Sequence, residues 1–137
     1  MYTYEAKIRI RYGETDQMGY VYHGNYALYY EETRTEMLRH MGLPYVELEK
    51  QGVMMPIRHM EIKYLKPAKY DNLITVRAIL KEMPTVKMII DYQVLNEDGD
   101  LLNEGQTTLV FADMKTGRPC RPPQILIDTV KPYFVSS

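Results

Sequence analysis

Alternating apolar and polar positions predict one β-strand near the start of the chain and four more after residue 53. In residues 6–12, Ala6, Ile8, Ile10 and Tyr12 share one side and basic residues take the other. This period of two is expected of a half-buried strand. Apolar-rich segments bounded by turn residues predict the later strands at residues 54–65, 73–80, 86–95 and 101–114.

A helical period separates the first predicted strand from the rest. Tyr26, Tyr30, Met37 and Met41 fall within one narrow arc when successive residues are placed at about 100°. Residues 26–41 are therefore predicted to form a helix whose apolar side packs on a sheet.

The residues around this helix predict how it begins and ends. Asn25 precedes it and is a competent N-cap, and Gly42 follows it, as a glycine just beyond a helix C-terminus does. Arg34 falls inside the apolar arc, three residues after Glu31. That spacing predicts a buried or half-buried ion pair between the two side chains.

One helix followed by a run of antiparallel strands indicates the α+β fold class. Residues 44–52 are expected to form a short connector, residues 96–100 a hairpin turn and residues 124–130 a C-terminal appendage. A chain of 137 residues with 45% hydrophobic content is long enough for one compact core. We expect a single domain, residues 1–137, in which an antiparallel sheet wraps around one long central helix.

Composition narrows the possible partners and the compartment. The formal net charge of −1 gives no broad basic field that would attract nucleic acid or an anionic membrane. Cys120 is the single cysteine and has no intrachain disulfide partner. No segment approaches the roughly 20 apolar residues that span a bilayer. These features predict a cytoplasmic protein with no nucleic-acid partner and no integral membrane association.

Asp16 is the main candidate for chemistry. It lies between the first strand and the helix, in a loop with Gly13 and Gly19. Such a loop can bring its carboxylate near the N–H groups at the helix start, where the positive end of the helix dipole lies. A carboxylate can attack a carbon atom or activate water, and such N–H groups can hold an oxygen that gains negative charge. The competing interpretation of Asp16 is a turn-forming residue, and the nearby Glu14 is expected to be solvated.

The string D-x-M-G-x-V-Y-H-G-N-Y at residues 16–26, followed by helical residues 30–38, resembles the hotdog-fold acyl-CoA thioesterases. The resemblance is to the 4-hydroxybenzoyl-CoA thioesterase-like family, in the branch that includes the Tol-Pal-associated and long-chain acyl-CoA thioesterases. It implies hydrolysis of a CoA thioester to free acid and CoA. It further implies that Asp16 acts as nucleophile or general base and that a helix N-terminal backbone N–H near His23 polarises the carbonyl.

The same resemblance implies a homodimer or homotetramer with active sites at the subunit interface. Unpaired sheet edges are an independent reason to expect an oligomer, because their free N–H and C=O groups invite pairing.

Four further residues are candidates for substrate binding. Tyr22 and Asn25 lie in the motif and are placed to shape the site, although Asn25 is also explained as a helix cap. Arg58 and Lys66 are candidates for the phosphates of coenzyme A, with an ordinary solvated charge as the competing interpretation. For His23, participation of the ring and participation of the backbone N–H alone both stay open.

Other chemistries find less support in the sequence. No cofactor and no metal are expected, because nucleotide-binding glycine motifs are absent and the three histidines lie far apart. Serine occurs only at Ser136 and Ser137, which excludes a serine nucleophile elbow. A hydratase or dehydratase is disfavoured because its D-x-N-P-x-H type signature is not matched at Asp16. A noncatalytic acyl-thioester-binding or scaffold protein of the same fold is the remaining alternative.

Overall fold

The computed structural model describes residues 1–134, and these form seven β-strands. Five strands make one antiparallel sheet, in which the first and third strands of the chain are the two edges. The other two form a separate two-stranded sheet. In chain order the strands are β1 (Tyr2–Arg9), β2 (Val53–Met54), β3 (Ile57–Tyr64), β4 (Leu73–Leu80), β5 (Lys87–Leu95), β6 (Leu101–Val110) and β7 (Ala112–Asp113). The larger sheet has the order β1-β4-β5-β6-β3, and β2 pairs with β7.

Three α-helices accompany the sheet: α1 (Asn25–His40), α2 (Tyr45–Lys50) and α3 (Gln124–Val130). The longest is α1, with 16 residues, and it packs against β1 and β4. The α+β class is confirmed. The expectation of one helix is incomplete, because α2 forms within the predicted connector, where six residues are too few to show a helical period. None of the helices in residues 1–134 is long and apolar enough to cross a membrane.

Tyrosines fill the space between α1 and the sheet. The rings of Tyr30 and Tyr92 stack with centroids 4.1 Å apart. Their hydroxyl groups find partners inside the core: Tyr30 donates to Asn103 Oδ1 at 2.7 Å, and Tyr92 lies 2.7 Å from Thr107 Oγ1. A Cβ at Gly105 would lie 2.8 Å from the Tyr30 ring, so this strand residue must be glycine for the ring to pack there. Tyrosine therefore serves as a core residue whose polar end is satisfied.

The first strand is displaced from its predicted position. Its inward face begins at Tyr2, and the strand ends at Arg9. Ile10 is buried as predicted, but Tyr12 is 78% exposed. The chain curls there into a short 3-10 turn because the Glu14 carboxylate accepts a hydrogen bond from the Arg11 backbone N–H.

The predicted cap of α1 is wrong by one residue. Gly24 occupies the N-cap position, and Asn25 is the first helical residue. The Asn25 side chain donates to the backbone oxygen of Glu14 at 2.8 Å, so it ties the helix to the preceding loop instead of capping it. The predicted C-terminal end of α1 is confirmed, since Gly42 follows the helix with a φ of +93°, a conformation that favours glycine.

The predicted ion pair between Glu31 and Arg34 is wrong. Glu31 is exposed, and within residues 1–134 no ion pair joins it to Arg34. The guanidinium of Arg34 lies instead beside the hydroxyl of Tyr92. Burial raises the pKa of that hydroxyl, and the nearby positive charge of Arg34 opposes the rise.

The edge strand β3 is open on one side. It pairs with β6 along its length, and every residue except Ile62 is exposed. Its apolar side chains include Ile57, Met60 and Tyr64, with exposed fractions between 39% and 49%. An unpaired edge of eight residues, on which apolar and charged side chains are mixed, is a surface on which a second strand can add.

Candidate active site

Residues 16–20 form a tight loop between β1 and α1. The Asp16 N–H donates to the Tyr20 carbonyl at 2.7 Å, and the Gly19 N–H donates to the Asp16 carbonyl at 3.0 Å. Gly19 has a φ of +78°, which a residue with a Cβ rarely adopts. A bridge between Thr15 and Val21 closes the base of the loop. The predicted compact loop around Gly19 is thereby confirmed.

The carboxylate of Asp16 has one oxygen held and one oxygen available. Its Oδ1 accepts hydrogen bonds from the backbone N–H groups of Met18 at 2.9 Å and Tyr20 at 3.2 Å. In the part of the chain that the structure describes, Oδ2 accepts none. Asp16 is therefore a turn-forming residue, as the competing interpretation holds, and it still presents a carboxylate oxygen for chemistry.

The head of α1 lies next to this loop because it is anchored on Glu14, two residues before Asp16. The backbone oxygen of Glu14 accepts the Tyr22 N–H at 2.9 Å as well as the Asn25 side chain. The N–H groups of His23 and Gly24 find no acceptor within residues 1–134. They stand at the positive end of the helix dipole, where unpaired N–H groups can hold an oxygen that gains negative charge.

Glu14 is a structural residue and not a second free carboxylate. Its side chain is only 14% exposed, and Oε1 and Oε2 accept hydrogen bonds from the backbone and side chain of Arg11 at 2.8 Å and 3.0 Å. Burial alone would raise the pKa of Glu14, but the bonds from Arg11 outweigh it and hold the pKa below its ordinary value. The expectation of a solvated Glu14 is wrong.

A cavity of about 380 Å³ joins the loop, the head of α1 and the end of β3. It brings together three of the residues that the sequence singled out, Asp16, His23 and Lys66. Lys66 stands at its rim, more than half exposed, with its Nζ 3.6 Å from Asp100 Oδ2. The cavity is lined by Asp16, Met18, Tyr20, Val21, His23, Tyr26, Tyr64, Leu65, Lys66 and Pro67.

The sequence reasoning assigned none of the three tyrosines of this cavity, Tyr20, Tyr26 and Tyr64, to the site. Tyr64, the last residue of β3, donates its hydroxyl to the His23 backbone oxygen at 3.1 Å. Tyr26 packs 5.8 Å from the Tyr64 ring, and burial raises its pKa to about 12, so its hydroxyl stays neutral at ordinary pH. The high tyrosine content was the signal, since tyrosines tend to line surfaces that are half apolar and half wet.

Three other predicted residues do not line the cavity. The Tyr22 ring is half exposed and lies against the His23 ring at 4.4 Å, and Asn25 is engaged with Glu14. Arg58 lies near the opposite end of β3, beside Lys87 and Arg121 in a separate cavity of about 400 Å³. Arg58 and Tyr64 are separated by about 20 Å along the strand, because a strand advances about 3.3 Å per residue.

Comparison with known proteins identifies the family. A model of the thioesterase-like superfamily matches residues 10–130. The acyl-CoA thioester hydrolase YbgC of Escherichia coli O6:H1 is 30% identical, over 90% of this chain and 92% of its own.

Solved structures agree with this match. The structure of a DHNA-CoA thioesterase from Staphylococcus aureus has a TM-score of 0.89 at 31% identity, with 97% of this chain and 89% of that chain covered. A hypothetical protein from Thermus thermophilus has a TM-score of 0.89 at 32% identity, with 98% and 100% covered. The chain belongs to the thioesterase-like superfamily, and it is a thioester hydrolase with the hotdog fold.

Proposed function

We propose that Asp16 and the backbone N–H groups at the head of α1 carry out the hydrolysis. One observation carries this proposal: within residues 1–134, Oδ2 of Asp16 accepts no hydrogen bond, and the N–H groups of His23 and Gly24 find no acceptor. Asp16 and His23 line one cavity. A thioester placed between them would meet a base or nucleophile on one side and oxyanion donors on the other.

Two routes use these groups. In the first, Asp16 takes a proton from water as the water oxygen attacks the thioester carbon. In the second, Asp16 Oδ2 attacks that carbon itself, and water later hydrolyses the resulting anhydride. In both routes the N–H donors hold the negative carbonyl oxygen, the C–S bond then breaks, and the departing CoA thiolate takes up a proton.

We predict that His23→Ala lowers kcat less than Asp16→Asn does, by no more than about tenfold. The reason is that a backbone N–H is preorganised whatever side chain its residue carries. Steady-state rates of CoA release from the same thioester, measured for both variants, check this. A loss at His23→Ala larger than that at Asp16→Asn would make the imidazole the base.

We predict that Tyr64→Phe lowers kcat by about three- to tenfold with a smaller effect on KM. The Tyr64 hydroxyl fixes the peptide that joins His23 to Gly24, and the Gly24 N–H belongs to that peptide. Phenylalanine keeps the ring in the cavity but leaves the His23 oxygen with the Tyr26 N–H as its one donor, at 3.4 Å. Tyr70→Phe, on the exposed surface, serves as the matched control. Identical kinetics for Tyr64→Phe and the control would remove the Tyr64 hydroxyl from the mechanism.

We propose that the active unit is a dimer joined through β3, with a tetramer as a further possible assembly. If two β3 strands pair antiparallel about a two-fold axis, Tyr64 of one protomer comes opposite the N-terminal end of the other strand. Arg58 of the partner subunit then lies near the first protomer's Asp16 cavity. The first protomer's own Arg58 lines a different cavity and does not reach this one. This arrangement supports the assignment of Arg58 and Lys66 to the phosphates of coenzyme A. Tyr22 and Asn25 are proposed to act from outside the cavity, Tyr22 through the His23 ring and Asn25 through Glu14.

The proposed substrate is an acyl-CoA, and the proposed compartment is the cytoplasm. A noncatalytic acyl-binding role has no specific observation in its favour. The test is the release of CoA, followed with a thiol reagent, from a panel of short, medium, long and aromatic acyl-CoA thioesters. Turnover of at least one member is expected. Binding of thioesters without release of CoA from any of them would favour the noncatalytic role.

A further inference from the structure

A second cavity lies along α1, away from Asp16. It has a volume of about 290 Å³ and stands between the C-terminal half of the helix and the sheet. Its apolar walls come from Leu38 on the helix and Met88, Ile90 and Leu109 on the strands, and polar side chains line the rest. Arg34 also lines it, and neither step of the proposed hydrolysis uses this residue.

Arg34 lines that cavity, and its guanidinium also lies beside the Tyr92 hydroxyl. Its Nη1 is buried and has no hydrogen-bond partner among the residues that the structure describes. Glu31 lines the same cavity but is exposed and forms no ion pair with Arg34 in this part of the chain. A buried guanidinium nitrogen left unpaired is unfavourable, and such groups in folded proteins normally find a partner. The planar guanidinium selects an acceptor oxygen.

The direction of α1 relative to β3 locates this cavity in the proposed dimer. His23, at the start of α1, is bonded to Tyr64 at the end of β3. Met55, just before the start of β3, lines the Arg34 cavity. The helix and the edge strand therefore run in opposite directions. When two β3 strands pair antiparallel, the end of one strand meets the start of the other, and the partner subunit's Arg34 cavity comes beside the first protomer's Asp16 site.

We propose that Arg34 of the partner subunit binds an oxygen at the far end of the acyl group whose thioester lies at Asp16. The preferred substrates are then acyl groups with an apolar body and a terminal hydroxyl or carboxylate oxygen, in preference to plain hydrocarbon chains of equal length. The apolar walls take the body of the acyl group, and the guanidinium takes its terminal oxygen. This inference rests on the proposed function and on the proposed dimer.

The first test compares substrates that differ by one oxygen, hexanoyl-CoA with 6-hydroxyhexanoyl-CoA and octanoyl-CoA with 8-hydroxyoctanoyl-CoA. For the wild-type protein, kcat/KM is expected to be higher for the hydroxylated member of at least one pair. Arg34→Met is expected to lower that ratio about 10- to 100-fold, because a hydrogen bond to a charged group is lost. Arg34→Lys should keep part of the wild-type preference for the hydroxylated substrate. A ratio that Arg34→Met leaves unchanged, or a wild-type ratio of one or less in both pairs, overturns the proposal.

Arg39→Met is the matched control for this test. Arg39 lies on the same helix, is exposed, and pairs with Glu36 at 3.3 Å. The change removes a guanidinium from α1 without touching the cavity, so the substrate ratio is expected to stay at its wild-type value. Thermal unfolding of each variant verifies that it is folded, and Arg34→Lys carries the test if Arg34→Met does not fold.

The second test asks which protomer supplies Arg34. Asp16→Asn and Arg34→Met chains are co-expressed so that they form mixed dimers. In a mixed dimer one site carries both changes and the other carries neither. Random mixing of equal amounts makes half of the dimers mixed, so about a quarter of all sites are intact. Hydrolysis of the hydroxylated substrate should rise to about a quarter of the wild-type rate. A rate that stays at the average of the two single variants overturns the assignment to the partner.

A binding measurement distinguishes failure of the Arg34 proposal from failure of the proposed hydrolysis. Non-hydrolysable 2-oxoalkyl thioethers of CoA, with and without a terminal hydroxyl, are titrated calorimetrically into wild-type and Arg34→Met protein. The terminal hydroxyl is expected to tighten binding about tenfold or more in the wild type and to have little effect in the variant. Equal binding of both thioethers to the wild type overturns the Arg34 proposal, whether or not any thioester is hydrolysed.

Discussion

Asp16→Asn is expected to lower kcat/KM for acyl-CoA hydrolysis by at least about a hundredfold, as the loss of a general base or nucleophile does. The substitution is well matched to the loop. The Oδ1 of asparagine can still accept the N–H groups of Met18 and Tyr20, which hold residues 16–20 together. The carboxylate oxygen that faces no hydrogen-bond donor in the described chain is replaced by an amide nitrogen, which neither accepts a proton nor attacks a carbonyl.

The controls separate the chemical role of Asp16 from its turn-forming role. Asp16→Ala removes the bonds to the loop as well, so it is expected to lower both activity and the midpoint of thermal unfolding. Asp98→Asn changes an exposed carboxylate in the hairpin after β5 and should leave both unchanged. If Asp16→Asn is folded and retains near wild-type activity while Asp16→Ala is destabilised, Asp16 is a turn residue alone.

Met60→Pro is expected to convert the dimer to a monomer and to reduce hydrolysis at least about a hundredfold, because each site needs parts of two protomers. The N–H of Leu65 donates to Leu102 on β6. N–H directions alternate along an antiparallel strand, so the N–H groups of Ile62 and Met60 point to the open edge. Proline at position 60 removes an edge N–H and blocks a second strand, and leaves the donors to β6 in place.

Light scattering of Met60→Pro and of Met60→Ala checks this prediction. The alanine variant keeps the backbone N–H, so it should remain a dimer and retain most of its activity. Circular dichroism shows whether the proline variant keeps its sheet. A folded Met60→Pro monomer with full activity would contradict the shared site and leave Asp16 to act with donors of its own chain.

Local patterns predicted the loop, the main helix and the order of the strands. Asp16 and Gly19 could be located because a compact turn and a following helix depend on neighbouring residues alone. The apolar arc of Tyr26, Tyr30 and Met37 likewise predicted the face that α1 buries. These features need no knowledge of what lies far away in the sequence.

The residues that sequence reasoning missed depend on contacts between distant segments. Tyr64 reaches His23 because the register of β3 against β6 ends that strand beside the helix, across 41 residues of sequence. The helical spacing of Glu31 and Arg34 allowed an ion pair, but the neighbouring Tyr92 hydroxyl on β5 offers Arg34 another environment. Neither the strand register nor the position of β5 can be read from the residues of the helix.

The most direct test of the central claim is a crystal structure of the Asp16→Asn variant with an intact acyl-CoA bound. The account predicts that the thioester carbonyl oxygen lies within hydrogen-bonding distance, roughly 3 Å, of the N–H of His23 or Gly24. It predicts that the carbonyl carbon faces residue 16 in a cavity completed by the second protomer. A thioester bound with its carbonyl away from the head of α1 would contradict it.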